Sequence, residues 1–333
     1  MTVSLSASVL IALSCSFLSC VGLCAVLLPP AERVMARRRV AVVEVPSWRK
    51  REQDIPPVGG IAIIVSAAAG ILISAVFGGS VSENCIFLLI VAVLFSAVGL
   101  TDDLLTLTQN KRFSMHSSVK TVLRALLAVG FAVYSYNYNG GGYVPLSVFA
   151  SGVDLGVFYI PIAALTVLIF SCSAMITDGS DGLNAVTSVP VFAYLMLFSL
   201  GRQGSGDAEG AFVSSAILGA VLGFLIFGKC PARIFSGKSG TSFCGVCAVL
   251  LCFLMKRPAV MFTVGFVWLV QGMSFALSRA VYYITRGKHR LLPIAPLDVF
   301  LRSAGVSENV IIFAYFAVGV IFAAVSYVLT GGL

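Results

Sequence analysis

Residues 84–103 read NCIFLLIVAVLFSAVGLTDD, an apolar run with no charged residue until it ends on two adjacent aspartates. An α-helix needs about 20 predominantly apolar residues to cross the ~30 Å hydrocarbon core of a membrane. An amphipathic stripe, which a helix on the surface of a soluble protein would show, is absent from this run. The stretch therefore predicts a membrane-spanning helix with a pair of carboxylates at one end.

The same pattern recurs along all 333 residues, of which 59% are hydrophobic and 11% charged. A soluble domain carries about 25% charged residues, so the composition excludes that class. We predict an all-α fold, a polytopic transmembrane helical bundle of about ten helices forming one domain over 1–333. The predicted apolar blocks are 7–28, 58–77, 84–101, 119–136, 155–175, 184–200, 211–227, 240–254, 258–281 and 308–330.

Lysine and arginine concentrate in alternate connections between these blocks. The basic connections are 29–57, 102–118, 228–239 and 282–307, and the others carry only Arg202, Lys256 and Arg257. The positive-inside rule then predicts that the first set is cytoplasmic and that both termini lie outside. No basic residue precedes the first block, so we expect a retained helix and not a secretory signal. The net charge of +8 indicates anionic membrane lipids as the default partner and no nucleic acid.

The placement of the acidic residues is the most informative feature of the sequence. Asp102 and Asp103 end one apolar block, Asp178 and Asp181 lie in a short connection, and Asp298 lies in the last basic loop. Each pair could be a solvated helix end or a cap. However, adjacent carboxylates repel one another unless a cation or a proton intervenes, and Mg²⁺ typically binds one or two carboxylates together with phosphate oxygens. The pattern favours a metal-assisted phosphate site at the cytoplasmic membrane surface.

Two glycine-rich segments, 178–182 and 235–242, support a site that a ligand approaches closely. The second precedes an apolar block, so its amides would face an anion at a helix N-terminus, with the positive charge of Lys238 beside them. It is not a P-loop, because Ala232 stands where the first glycine should be. A flexible connector is the alternative interpretation of this segment.

Cysteine and histidine give weaker signals. Most of the nine cysteines fall inside apolar blocks, where we expect them to pack as small hydrophobic residues. Cys244 and Cys247 form a CxxC pair without a second pair, which argues against zinc. His116 and His289 lie in predicted loops, where we expect solvated side chains and not a catalytic base.

Five patches, in order, resemble the motifs of the polyprenyl-phosphate N-acetylhexosamine-1-phosphate transferases of glycosyltransferase family 4. They are Pro57–Gly60, Gly99–Asp103, Lys120, Thr177–Leu183 and Pro296–Ser307. The resemblance covers about residues 56–320. It implies an integral enzyme of the cell inner (plasma) membrane that passes a sugar-1-phosphate from a UDP-sugar to undecaprenyl or another polyprenyl phosphate. The reaction would use Mg²⁺, release UMP and initiate cell-wall or other envelope glycan synthesis.

The resemblance also assigns roles to residues. The implied catalytic residues are Asp102, Asp103, Asp178 and Asp181. The implied substrate-binding residues are Lys120, Gly179, Gly182, Gly237, Lys238 and Asp298. The implied metal ligands are Asp178 and Asp103. One of the adjacent pair would act either as the base that deprotonates the lipid phosphate or as a nucleophile, and the sequence does not separate these two.

This chain departs from the family pattern at several positions. Cys172 and Met175 stand where the family has asparagines, Lys238 replaces an expected acidic metal ligand, and Pro296, Asp298 and Val299 replace the histidines of the last loop. A protonated lysine cannot coordinate Mg²⁺. Lys238 would instead occupy the position of the cation, paired with Asp178 or with pyrophosphate.

Two other functions remain open from the sequence. A catalytically inactive relative would bind lipid phosphate or nucleotide, or act as a scaffold for a glycan-assembly complex. A transporter would place its charges near the membrane midplane, whereas here they cluster at one interface. Within the transferase hypothesis, the last loop resembles the branch that initiates O-antigen or teichoic-acid chains. This implies a UDP-N-acetylhexosamine donor such as UDP-N-acetylglucosamine, with UDP-MurNAc-pentapeptide second. The sequence leaves open whether the protein is a homodimer.

Overall fold

The computed structural model describes residues 5–36, 55–76, 82–108, 116–145, 152–178, 181–201, 208–286, 288–289 and 291–330. The described helices coincide with all ten predicted blocks, so the all-α fold class is confirmed. The helices are α1 (Leu5–Ala36), α2 (Gly59–Val76), α3 (Glu83–Thr108), α4 (Ser117–Asn139), α5 (Tyr159–Ile176), α6 (Leu183–Gly201), α7 (Ala208–Gly228), α8 (Gly237–Leu254), α9 (Val260–Val264), α10 (Phe266–Ile284), α11 (Leu297–Ser303) and α12 (Glu308–Leu329).

Nine of the described helices are long and apolar enough to cross a membrane, and α10 is not among them. The predicted block 258–281 is divided at Gly265 into the short α9 and the longer α10. Polar side chains such as Gln271 and Arg279 make α10 less apolar than its neighbours. The chain is therefore a multi-pass helical membrane protein, while the placement of both termini outside stays a prediction.

Helix α8 forms the centre of the bundle. Every residue from Ser239 to Phe253 is buried, and α2, α3 and α5 pack around the helix. Its sequence is rich in glycine, serine and cysteine, and small residues of this kind let membrane helices approach closely. By contrast, α4 buries only one narrow stripe and lies at the periphery.

A small antiparallel hairpin follows α4, with β1 (Tyr143–Pro145) paired to β2 (Gly152–Asp154). A left-handed Gly140, with φ of 71°, ends α4 before the hairpin. The hairpin is thus at the opposite end of α4 from Lys120. This end is distant from the site described next, which is built where α3 ends and where α4 and α8 begin.

Candidate active site

Asp102 lies near the end of α3, between two lysines from other helices. The Lys120 ammonium, at the start of α4, donates a hydrogen bond to Oδ1 of Asp102, and Lys238 Nζ lies 3.0 Å from Oδ2. The side chains of Asp102 and Lys120 are 13% and 14% exposed, whereas that of Lys238 is 55% exposed. The site therefore has one carboxylate with two cations, one of them open to water.

Asp103 follows Asp102 directly but faces a different partner. Its Oδ1 accepts a hydrogen bond from the Lys238 amide (2.8 Å), and its Oδ2 accepts one from the Ser239 amide (2.8 Å) and one from the Ser239 hydroxyl (2.5 Å). A carboxylate at the first amides of a helix satisfies groups that have no partner within the helix. Asp103, which is 4% exposed, therefore anchors the N-terminus of α8 to α3.

Gly237 makes this contact sterically feasible. Its φ is +66°, and an added Cβ would lie 2.6 Å from Oδ2 of Asp103. A side chain at this position would therefore displace the carboxylate as well as strain the backbone. The neighbouring Lys238 then places its amide on Asp103 and its ammonium on Asp102. One turn of chain thus orients both aspartates.

The start of α2 completes this junction. The Gly59 amide donates to the Phe235 carbonyl (2.9 Å), and the Phe235 amide donates to the Pro56 carbonyl (3.1 Å). A Cβ on Gly60 would lie 2.3 Å from Ser239 Oγ and 2.4 Å from the Gly240 nitrogen. The predicted patch Pro57–Gly60 therefore supports the turn that holds the aspartates.

Asp178 lies after α5, outside the membrane-spanning helices, and accepts a hydrogen bond from Ser236 Oγ (2.9 Å). Removal from water raises the pKa of its carboxyl well above the usual range, and the negative charges of Asp103, Asp298 and Asp181 raise it further. The hydrogen bond from Ser236 lowers this pKa in part. Negative charge is therefore concentrated around Asp178.

Asp181 ties three segments together. Its Oδ2 accepts from the Ala232 amide (2.8 Å), and its own amide donates to Glu308 at the start of α12 (3.0 Å). Glu308 also lies 3.7 Å from Arg302. Ligand atoms of Asp181, Cys230 and Glu308 lie within 4.8 Å of one another, so this group could also hold a metal ion.

The donors around Asp178 fit a hard divalent cation such as Mg²⁺, because carboxylate and hydroxyl oxygens are the ligands that this ion prefers. Asp178 fits best, since in the described part of the chain it has a single hydrogen bond, from a hydroxyl. Asp103 fits less well, because both of its oxygens already bind α8 amides. Asp298 is fully buried on α11, with Arg302 at 3.9 Å.

The structure brings most of the predicted site residues together. Asp102, Asp103, Lys120, Gly237 and Lys238 form direct contacts, and the remaining aspartates act electrostatically on Asp178. Gly182, with φ of +69°, lies with its Cα against the Gly228 carbonyl. Gly179 lies outside the described residues.

One of the two expected partners of Lys238 was wrong, while pairing with pyrophosphate stays a prediction. Lys238 pairs with Asp102 and not with Asp178. The reason is geometric, because the turn at Gly237 directs the start of α8 toward α3, while Ser236, one residue earlier, reaches Asp178.

Sequence reasoning also missed several residues of the site, including Ser236, Ser239 and Glu308. The two serines lie in the glycine-rich segment 235–242, but no sequence pattern indicates which carboxylates they contact. Glu308 is 127 residues from its partner Asp181, and only its position at the start of the last apolar block could have marked it. The replaced family positions differ in exposure, since Cys172 is exposed and Met175 is half-buried.

Comparison with known proteins places this chain in a family. The model of glycosyl transferase family 4 matches residues 85–256, just over half of the chain. Three similar proteins are phospho-N-acetylmuramoyl-pentapeptide-transferases. That of Halalkalibacterium halodurans is 27% identical over 84% of this chain and 85% of the relative. That of Wolbachia sp. subsp. Drosophila simulans is 27% identical over 81% of this chain and 82% of the relative. That of Clostridium perfringens is 28% identical over 85% of this chain and 85% of the relative.

The family match begins at Cys85, in the apolar run that ends on Asp102 and Asp103, and ends at Lys256, just past the buried α8. It therefore contains the contact between the adjacent aspartates and the Gly237–Ser239 turn. From this match and from the fold, the chain belongs to glycosyl transferase family 4 and is a multi-pass membrane transferase of that family.

Proposed function

We propose that this protein transfers an N-acetylhexosamine-1-phosphate from a UDP-sugar to undecaprenyl phosphate, or another polyprenyl phosphate, at the cytoplasmic face of the cell inner membrane. A single domain over 1–333 would carry out the reaction. The observation that carries the proposal is the position of the Asp102 carboxylate between Lys120 and Lys238. A carboxylate with two cations offers a base together with charge for phosphoryl oxygens.

In the proposed reaction, Asp102 takes the proton from the acceptor phosphate, whose oxygen then attacks the β-phosphorus of the UDP-sugar. A new phosphorus–oxygen bond forms to the lipid phosphate, and the bond from the β-phosphorus to the oxygen of UMP breaks, so UMP leaves. Lys120 and Lys238 bind the phosphoryl oxygens as negative charge moves onto the leaving group. Asp103 has a positioning role, because its oxygens hold the α8 amides.

We assign the metal-binding role to Asp178, with Ser236 beside it and with Asp181 and Asp298 contributing negative charge. A bound Mg²⁺ would supply positive charge to the donor pyrophosphate. The raised pKa of Asp178 means that its carboxyl holds a proton more tightly than an exposed aspartate does, so cation binding there would compete with the proton.

Two donors are candidates. The resemblance of the end of the last loop to the branch that initiates O-antigen or teichoic-acid chains favours a simple UDP-N-acetylhexosamine such as UDP-N-acetylglucosamine. The names of the similar proteins favour UDP-MurNAc-pentapeptide as the second donor. Both donors present the same UDP-linked phosphate to Asp102 and the lysines.

The test is release of UMP by the purified protein in detergent, with undecaprenyl phosphate and each donor in turn, with and without Mg²⁺. The critical variant is Asp102→Asn. The matched control is Asp154→Asn, which changes an exposed aspartate on the hairpin whose oxygen accepts from the Gly156 amide. We expect lipid-dependent UMP release that is lost in Asp102→Asn, retained in Asp154→Asn and dependent on Mg²⁺.

A negative result has a defined meaning when a relative with known activity works in the same detergent. If neither donor releases UMP, the transferase proposal is rejected. The inactive alternative then gains support from the same ion pairs, because Lys120 and Lys238 would serve to neutralise Asp102 permanently.

A further inference from the structure

Arg124 lies on the inward stripe of α4, one turn after Lys120. The buried residues of this helix are Ala128, Phe131, Ala132 and Ser135, which lie on the same side of the helix as Arg124 at spacings of about one turn. One turn of an α-helix advances by about 5.4 Å. Arg124 therefore belongs to the protein-facing side of α4, one turn further along the helix than Lys120.

Two nitrogen donors of Arg124, Nε and Nη2, are buried without a hydrogen-bond acceptor among the described residues. Its neighbour Lys120 is paired with Asp102, and that carboxylate is already shared with Lys238. Unsatisfied donors of a charged group within a membrane helix are costly, and such residues usually mark a place where an ion or substrate binds.

A second arginine, Arg279, lies in the long helix α10, and its side chain is exposed. Its guanidinium lies 5.6 Å from the ring centroids of Phe275 and Tyr283. Aromatic faces thus accommodate that charge. Arg124 instead is half-buried, with two buried nitrogen donors one helical turn after Lys120, so these donors lie near the region where phosphate chemistry is proposed.

We propose that Arg124 binds the phosphate group of the membrane-embedded acceptor, a lipid phosphate monoester. This inference rests on the proposed function, and it names a residue that sets affinity for the lipid substrate. The guanidinium has a planar fork of donors that matches two phosphate oxygens, and it remains charged at all relevant pH values. Arg124 is thus an acceptor-binding residue, while Asp102 takes the proton.

The surroundings favour the lipid over the nucleotide as the source of this phosphate. On the opposite side of α4, Val122, Leu126 and Val129 are exposed, as expected of a peripheral helix that contacts lipid chains. A lipid phosphate reaches the inner side of such a helix from within the membrane. The soluble donor approaches from the water, where Lys238 is open.

The experiment compares wild-type protein with Arg124→Gln and Arg124→Lys, and uses Arg279→Gln as the matched control. The Michaelis constants for undecaprenyl phosphate and for the UDP-sugar are measured separately. Loss of a charged hydrogen-bonding group is expected to raise the constant for undecaprenyl phosphate by roughly 10-fold to 100-fold in Arg124→Gln. The constant for the UDP-sugar should stay within about 2-fold, Arg124→Lys should recover part of the affinity, and Arg279→Gln should match wild type.

Binding without turnover separates this inference from the proposed function. Undecaprenyl phosphate alone should raise the thermal unfolding temperature of the wild-type protein in detergent and should not do so for Arg124→Gln. Equal stabilisation of both proteins would overturn the inference even if UMP release is normal. A rise in the constant for the UDP-sugar alone would also overturn it, by assigning Arg124 to the donor.

Selective loss of lipid-phosphate binding in Arg124→Gln would support the inference even if no donor is turned over. Should Arg124→Gln fold poorly, Arg124→Met provides a second neutral side chain with the same expected outcome. Unchanged affinity for undecaprenyl phosphate in a well-folded Arg124→Met protein would overturn the inference.

Discussion

Two polar clusters lie at opposite ends of the same helices, and they differ in how their charges are satisfied. We call them the aspartate end and the tyrosine end. The aspartate end comprises Asp102, Asp103, Asp178, Asp181 and Asp298, and the tyrosine end comprises Asn84, Tyr134, Tyr138, Glu209 and Lys256. Asn84 and Asp102 are 18 residues apart on α3, which corresponds to about 27 Å, close to the thickness of a membrane core.

The tyrosine end is held by hydrogen bonds, by aromatic contacts and by a lysine near a tyrosine ring. Tyr134 donates to the amide oxygen of Asn84, and its ring stacks on Tyr138 with centroids 6.2 Å apart. Lys256 lies 5.6 Å from the centroid of the Tyr138 ring, and Glu209 accepts from Ser82. Tyrosines in such positions anchor helices at the membrane surface. A cavity of about 50 Å³ remains between these groups.

The aspartate end concentrates negative charge instead. Its carboxylates are held by helix amides, by serine hydroxyls and by two lysines, of which Lys238 also reaches solvent. We infer that the tyrosine end only fixes helix positions, whereas the aspartate end both fixes helix positions and, in the proposed reaction, presents charges to the substrate. This division makes opposite predictions for substitutions at the two ends.

The largest expected effect is on the rate of transfer in Asp102→Asn. A proton-transfer group typically contributes about 10²-fold to 10⁴-fold, so the variant should lose activity on that scale. Asp103→Asn should lose activity and also about 1–3 kcal/mol of stability, because it weakens charged bonds to the α8 amides. Both quantities can be measured on the same detergent samples. Asp102→Asn with more than a tenth of wild-type activity would contradict the assigned role.

A smaller effect is expected from the two lysines, and it should follow their exposure. Lys120→Met removes a largely buried partner of Asp102 and should lower kcat/KM by roughly 10-fold to 100-fold, since bonds to charged groups contribute about 1.5–3 kcal/mol. Lys238→Met removes a solvent-screened partner and should cost only about 2-fold to 5-fold. Steady-state kinetics of UMP release measures both. The reverse order would mean that Lys238 is the main contact for the transferred phosphoryl group.

Gly237→Ala probes the packing of the aspartate end. A Cβ would meet Asp103 at 2.6 Å in a backbone conformation with φ of +66°, so we expect a loss of about 1–3 kcal/mol in unfolding free energy. The control is Gly130→Ala on α4, where an added Cβ has no atom within 4 Å and alanine favours the helix. Thermal unfolding in detergent measures both variants. Equal stability of the two would show that α8 can shift to accept the side chain.

The smallest effect is expected at the tyrosine end. Glu209→Gln keeps a hydrogen bond to Ser82 and removes only a charge, so stability should change by less than about 1 kcal/mol and transfer should not change. The measurement is the rate of UMP release relative to wild type. A tenfold loss of rate would contradict the division of roles, because it would couple the two ends.

The helices could be predicted because the membrane imposes a simple rule of length and polarity. The same rule explains the uncertainty about α10, whose Gln271 and Arg279 reduce its hydropathy without preventing a long helix. The adjacency of Asp102 and Asp103 correctly indicated that their charges required compensation. The sequence could not indicate that lysines compensate one and helix amides the other.

That distinction depends on contacts between residues far apart in the chain. Asp103 meets Ser239 across 136 positions, and Asp181 meets Glu308 across 127. Sequence periodicity describes one helix at a time and carries no information on which helices become neighbours. Arg124 could not be assigned to the site from the sequence for the same reason. A basic residue in an apolar run can face lipid, solvent or protein, and the sequence alone does not distinguish these surroundings.

The complete burial of α8 has a consequence for the biogenesis of the protein. A helix surrounded by protein on all sides meets no lipid in the finished molecule, and its glycines, serines and cysteines make it a weaker insertion signal than a leucine-rich segment. Its neighbours α2, α3 and α5 all precede it in the chain. Synthesis therefore produces these three neighbours, and with them Asp103, before the helix that they surround.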